Sequence, residues 1–132
     1  MAAYALKQTP RFEADLKRLT RKFRRLEKDW ERFVQVLCDR PWEIGDQFPG
    51  VHPPLSKARM AVPSAGFSKR DGCRVLYRID EVRHVIYVAR IYHKGEMPDV
   101  TRAELQEANR EVRSLEEQEA FRGTLKAPRE KP

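Results

Sequence analysis

Phe12, Leu16, Leu19, Phe23, Leu26, Trp30, Phe33 and Leu37 follow one another at alternating spacings of four and three residues. That is the repeat of a helical segment with one buried face. Thr9 and Pro10 supply its start: a hydroxyl that can accept from a first-turn N–H, then a residue with helical φ and no N–H to leave unsatisfied. Pro41 ends the region. The period fits one long helix or two packed ones, and Thr20 offers a cap for a second.

Elsewhere the period is two. Residues 4–8 read as a short strand and residues 57–62 as a half-buried one. Residues 73–79 and 84–92 are rich in β-branched and aromatic side chains and flank Asp80-Glu81-Val82-Arg83, so they read as an antiparallel hairpin. The stretch PWEIGDQFPGVHPPLS, residues 41–56, holds four prolines and two glycines and reads as loop, as does the polar segment 63–72. Thr101 and Glu104 form a capping box ahead of a last helix with Leu105, Ala108, Val112 and Leu115 on its stripe. Residues 123–132 are polar and proline-tipped and read as a disordered tail. The expected fold is a single α+β domain over residues 1–122, with a small antiparallel-rich sheet, an N-terminal helix pair on one face and a C-terminal helix, all helices lying to one side.

The chain of 132 residues is 40% hydrophobic and 36% charged, which suits one modest core. No run of 18 apolar residues marks a membrane span, and the N-terminus lacks a signal-peptide core. A cytoplasmic protein is expected. Cys38 and Cys73 form no CxxC pair, and His52, His84 and His93 have no metal-ligand spacing; reduced packing thiols and no metal are expected. The net charge of +7 is unevenly placed: residues 51–94 carry nine Lys or Arg against three acids. A basic field of this kind suits an anionic partner.

Closing the hairpin with Ile79 opposite His84 would put Cys73, Val75, Tyr77 and Ile79 on one face with Ile86 and Val88. Arg74, Leu76 and Arg78 would share the other with Tyr87, Ile91 and His93. Lys57 and Arg59 would join them, so that Lys57, Arg59, Arg74 and His93 form one basic face rimmed by Lys94. Guanidinium groups match phosphate oxygens, and a histidine can move a proton near neutral pH.

At these residues the chain resembles the RelE/ParE toxin superfamily, nearest its HigB-like branch. The likeness is carried by GCRVLYRI (72–79), VIYVARIYHKGE (85–96), the basic helical segment 7–31, Lys57-Ala58-Arg59 and the turn Lys69-Arg70-Asp71-Gly72. It covers about residues 4–115. It implies the toxin of a type II toxin–antitoxin system: a ribosome-dependent mRNA endonuclease that cuts by metal-independent 2′-hydroxyl attack, without cofactor, and is neutralised by a cognate antitoxin. It also implies catalytic roles for His93, Arg74 and Lys94 and RNA contacts from Lys57, Arg59, Lys69 and Arg78; the charged helical run 17–28 is expected to dock on ribosomal RNA through Arg21, Lys22, Arg24 and Arg25. Val100-Thr101 stand where related toxins place a catalytic tyrosine, which leaves Tyr92 as the nearest substitute. Two other classes fit the same charge: a ParE-like inhibitor of DNA gyrase and a non-catalytic RNA- or ribosome-binding module.

Overall fold

The computed structural model describes residues 4–97 and 99–130, the segment 122–130 as backbone alone. The elements run β1 (Ala5–Gln8), α1 (Pro10–Lys22), α2 (Leu26–Asp39), β2 (Gly45–Gln47), β3 (Ser56–Met60), a 3-10 turn (Pro63–Ala65), β4 (Cys73–Asp80), β5 (Val85–His93) and α3 (Arg102–Glu130). The five strands lie in the order β1-β5-β4-β3-β2, with β1 parallel to β5 and the other pairs antiparallel. The side chains of the expected tail lie outside the described residues.

The N-terminal helical region is a pair, and the break falls at Phe23. Thr20 sits inside α1, where its hydroxyl donates to the Leu16 carbonyl at 2.6 Å. Phe23 leaves the helix with φ −117° and ψ 92°. Its ring packs edge-on against Phe67 and His93, with centroids 5.7 and 5.1 Å away. Thr9 caps α1, its hydroxyl accepting from the Phe12 N–H at 3.1 Å.

Three sequence expectations change. The proline-rich segment contains β2, whose pairing with Ser56–Met60 on β3 is supplied by the partner strand rather than by its own propensity. The helices also do not lie on one side. Helices α1 and α2 cover one face through Phe12, Leu19, Leu26, Trp30 and Leu37, packed on Ala58, Met60, Val75, Tyr77, Ile86 and Val88. Helix α3 covers the other with Leu105, Ala108 and Val112, packed on Leu55, Leu76, Tyr87 and Tyr92. The central strands are therefore buried on both faces, which explains their nearly unbroken apolar runs. No helix among the described residues is long and apolar enough to cross a membrane.

The hairpin register also differs. Ile79 pairs with Ile86 and Asp80 with Val85, closed by a turn in which Asp80 accepts from the Arg83 N–H at 3.0 Å. A bulge then intervenes: Tyr77 pairs with Val88 but Leu76 with Arg90, leaving Ala89 extra. One extra residue reverses the alternation of side chains from there onward.

Candidate functional site

The bulge decides which side chains meet. Beyond it, His93 pairs with Cys73 and Ile91 with Val75, so both turn toward α1 and α2. Tyr92 pairs with Arg74 and Arg90 with Leu76, on the opposite face. Lys57, Arg59 and Arg74 do share a face, with Arg59 directly across from Arg74. The histidine does not join them. This corrects the basic face expected from an unbulged hairpin: its strand-end aromatic is Tyr92.

Arg74 is only 6% exposed. Its guanidinium donates to the carbonyls of Lys69 at 3.0 Å, Cys73 at 3.2 Å and Arg70 at 2.8 Å. Those bonds fold the polar turn onto the start of β4 and hold the cation rigid. Burial, reinforced by the neighbouring Arg59 cation, lowers its pKa below the usual arginine range. Lys57 lies over the Phe48 ring at 5.6 Å, Arg59 and Lys69 are exposed, and Lys94 is half-buried, its N–H donating to the Gly72 carbonyl. None of Lys57, Arg59, Lys69, Arg74 or Lys94 has a carboxylate partner among the described residues. A preorganised arginine beside unpaired cations is an arrangement for binding phosphate.

Tyr92 is 1% exposed, and its hydroxyl has no hydrogen-bond partner. Burial raises its pKa, so it carries its proton at neutral pH. His93 sits between the rings of Phe23 and Phe67, its Nε2 donating to the Asp71 carbonyl at 3.1 Å and its Nδ1 without a partner. It ties the turn before β4 to the aromatic cluster behind the sheet.

Arg78 is on the same face as Arg74 but under α3, where Glu116 accepts from it at 2.7 Å. Arg21, Lys22, Arg24 and Arg25 are exposed around the α1–α2 break, away from the Arg74 face and without ion-pair partners among the described residues.

Sequence reasoning missed Asp15 and Arg90. Asp15 is 3% exposed and accepts from Arg90 Nε at 2.6 Å and from the Ile91 N–H at 3.2 Å. The same carboxylate thus pairs the arginine just after the bulge and fixes the backbone beside it. Arg90 also reaches Glu104 of α3 at 3.7 Å. A signal was present: one acid in the buried stripe of a helix and one arginine inside an apolar strand.

No family model matches the chain, and no curated protein matches it in sequence. Among solved structures it is similar to a chain of the toxin–antitoxin complex RelBE2 from Mycobacterium tuberculosis, with a TM-score of 0.55 and 23% identity over 70% of this chain and 99% of that one. A second similar structure is a variant of the E. coli toxin RelE in the free state, with a TM-score of 0.49 and 20% identity over 74% of this chain and 90% of that one. The fold is RelE-like.

Proposed function

We propose that the protein is the toxin of a type II toxin–antitoxin system, a cytoplasmic, ribosome-dependent mRNA endonuclease held in check by an antitoxin. The observation that carries this reading is the locked Arg74 guanidinium with Arg59 across from it and Lys57 alongside, unpaired cations on one face of a RelE-like fold. The 2′-hydroxyl loses its proton to solvent and attacks the adjacent phosphorus, forming a cyclic phosphate as the bond to the 5′-oxygen breaks. Arg74, Arg59 and Lys57 stabilise the dianionic phosphorane, and Lys94 adds charge at the rim. Tyr92, cross-strand from Arg74 and protonated, gives its proton to the leaving oxygen once RNA binding on the ribosome uncovers its buried hydroxyl. His93 holds the turn that carries the Arg74 acceptors. Lys69 contacts RNA from that turn, and the exposed basic break at Arg21, Lys22, Arg24 and Arg25 contacts ribosomal RNA.

The test is single-turnover mRNA cleavage on programmed ribosomes, with folding and ribosome binding measured in parallel. Arg74→Ala should lose about 10²- to 10³-fold in rate, and Tyr92→Phe about 10²- to 10⁴-fold. Folded His93→Gln should stay within about tenfold of the parent, below the usual range for a lost proton-transfer group. A parent protein that leaves translated mRNA intact but inhibits gyrase would replace this reading with the ParE-like one.

A further inference from the structure

A cavity of about 750 Å³ opens between α3, the end of β4 and the loop 50–54. Val51, Pro53, Pro54 and Leu105 give it apolar wall, and Gln106 and Asn109 add carboxamides. Arg102 and Arg113 line it from α3, about 16 Å apart along the helix at ~1.5 Å per residue.

Its lining carries the arginines Arg78, Arg102, Arg110 and Arg113 against the carboxylates Asp80, Glu81 and Glu116, an excess of one positive charge. Glu116 is engaged by Arg78, Asp80 by the Arg83 N–H and Glu81 by the Tyr4 hydroxyl. Arg102 has no partner among the described residues. Arg110 and Arg113 pair only with Glu107 and Glu117 of their own helix, at 2.5 and 3.8 Å, and all four side chains are exposed; pairs of that kind bind weakly. In the wall, Arg78 Nε and Asn109 Oδ1 are buried without hydrogen-bond partners. Asn109 meanwhile donates to the Pro53 carbonyl at 3.0 Å and so clasps the loop to α3.

Strand β4 runs beneath both the cavity and the basic face, with Leu76 buried under α3 between them, so an RNA strand joining the two passes beside α3. Arg74 and Arg78 point the same way and are about 13 Å apart at ~3.3 Å per residue. A stacked single strand rising ~3.4 Å per nucleotide needs at least about four nucleotides to cover that distance. We infer that the cavity seats single-stranded RNA flanking the segment bound at Arg74, with a base against the Pro53–Pro54 wall, carboxamides toward its edge and phosphates on Arg102 and Arg113. Guanidinium planes on which a base can stack, with hydrogen-bonding groups at its edge and cations on the backbone, are means by which unstacked RNA is held. This inference rests on the nuclease reading for the direction of the strand.

The experiment is fluorescence anisotropy with the full chain and a labelled single-stranded RNA, 2′-O-methylated throughout so that it cannot be cut, titrated over a range of salt. Each lost phosphate contact lowers the log–log salt slope by about 0.7 for a single strand. Arg102→Ala/Arg113→Ala should therefore flatten it by about 1.4 and weaken binding, while Arg113→Lys should keep the parent slope. Both positions are exposed, and an unchanged melting temperature establishes that the double variant is folded. An unchanged slope and affinity in that variant overturn the inference. So does binding of AMP as tight as that of the RNA, or tighter binding of polyglutamate lost in the same variant, which would make the cleft a nucleotide or an acidic-peptide seat. Parent protein that binds the RNA through these arginines but does not cut mRNA on ribosomes removes the nuclease reading alone.

Discussion

Replacing Asp15 by alanine strands Arg90. The guanidinium is 7% exposed and would lose its 2.6 Å partner, and the Ile91 N–H would lose its acceptor. Breaking a buried ion pair by removing one member costs about 3–5 kcal/mol. Glu104 remains 3.7 Å from Arg90, which places the expected loss at the lower end, about 3 kcal/mol. At about 4 °C per kcal/mol for a domain of this size, the melting temperature should fall by about 12 °C. Urea unfolding followed by tryptophan fluorescence and circular dichroism gives the free energy directly. Asp15→Leu combined with Arg90→Met separates charge from packing. A well-packed apolar pair of similar volume is often neutral or stabilising, so the double replacement should recover most of the loss. A loss below about 1 kcal/mol for Asp15→Ala, the scale of an exposed pair, would refute the account. So would a double variant as unstable as the single one.

Burial pushes the Cys73 thiol up to about 12, so in native protein at pH 8 it should resist alkylation and react only after unfolding; stoichiometric native labelling, read by mass spectrometry, would contradict this. Burial works to raise the Glu96 pKa, but hydrogen bonds from Arg18 and the His93 N–H prevail and hold it below the usual carboxylate value. The depressed folded-state pKa means stability that is present above the unfolded pKa and lost as pH falls through the folded one. Glu96→Gln should therefore cost about 0.2–1 kcal/mol at pH 7 and show a shallower acid decline below about pH 5; an identical pH–stability curve would remove the carboxylate's role. The Tyr77 hydroxyl donates to the Pro41 carbonyl at 2.6 Å, and Tyr77→Phe should lose about 1 kcal/mol in urea unfolding. Gly45→Ala sets a methyl 2.2 Å from that hydroxyl and 3.0 Å from the Lys57 carbonyl, and should cost about 1–3 kcal/mol by overpacking; tolerance of both changes would detach β2 from the fold's stability.

The elements whose evidence is local were legible in the chain. Thr9-Pro10, the four-and-three spacing from Phe12 to Leu37, the Thr101–Glu104 capping box and the alternation around Lys57 and Arg59 each state their structure within a few residues. The shared face of Lys57, Arg59 and Arg74 follows from such alternation, because an unbulged pairing preserves it. Other features were settled by contacts between distant segments. Strand β2 exists because β3 pairs with it, and α1 ends at Phe23 because a ring finds Phe67 and His93. Helix α3 takes the second face because both sides of β4 and β5 are apolar and each needs cover. The exchange of His93 for Tyr92 beside Arg74 turns on a single extra residue, Ala89. Alternation within a strand says which residues share a side, but it cannot say where an insertion reverses that order; here the reversal falls beside a buried carboxylate 75 residues away in sequence from the arginine it binds.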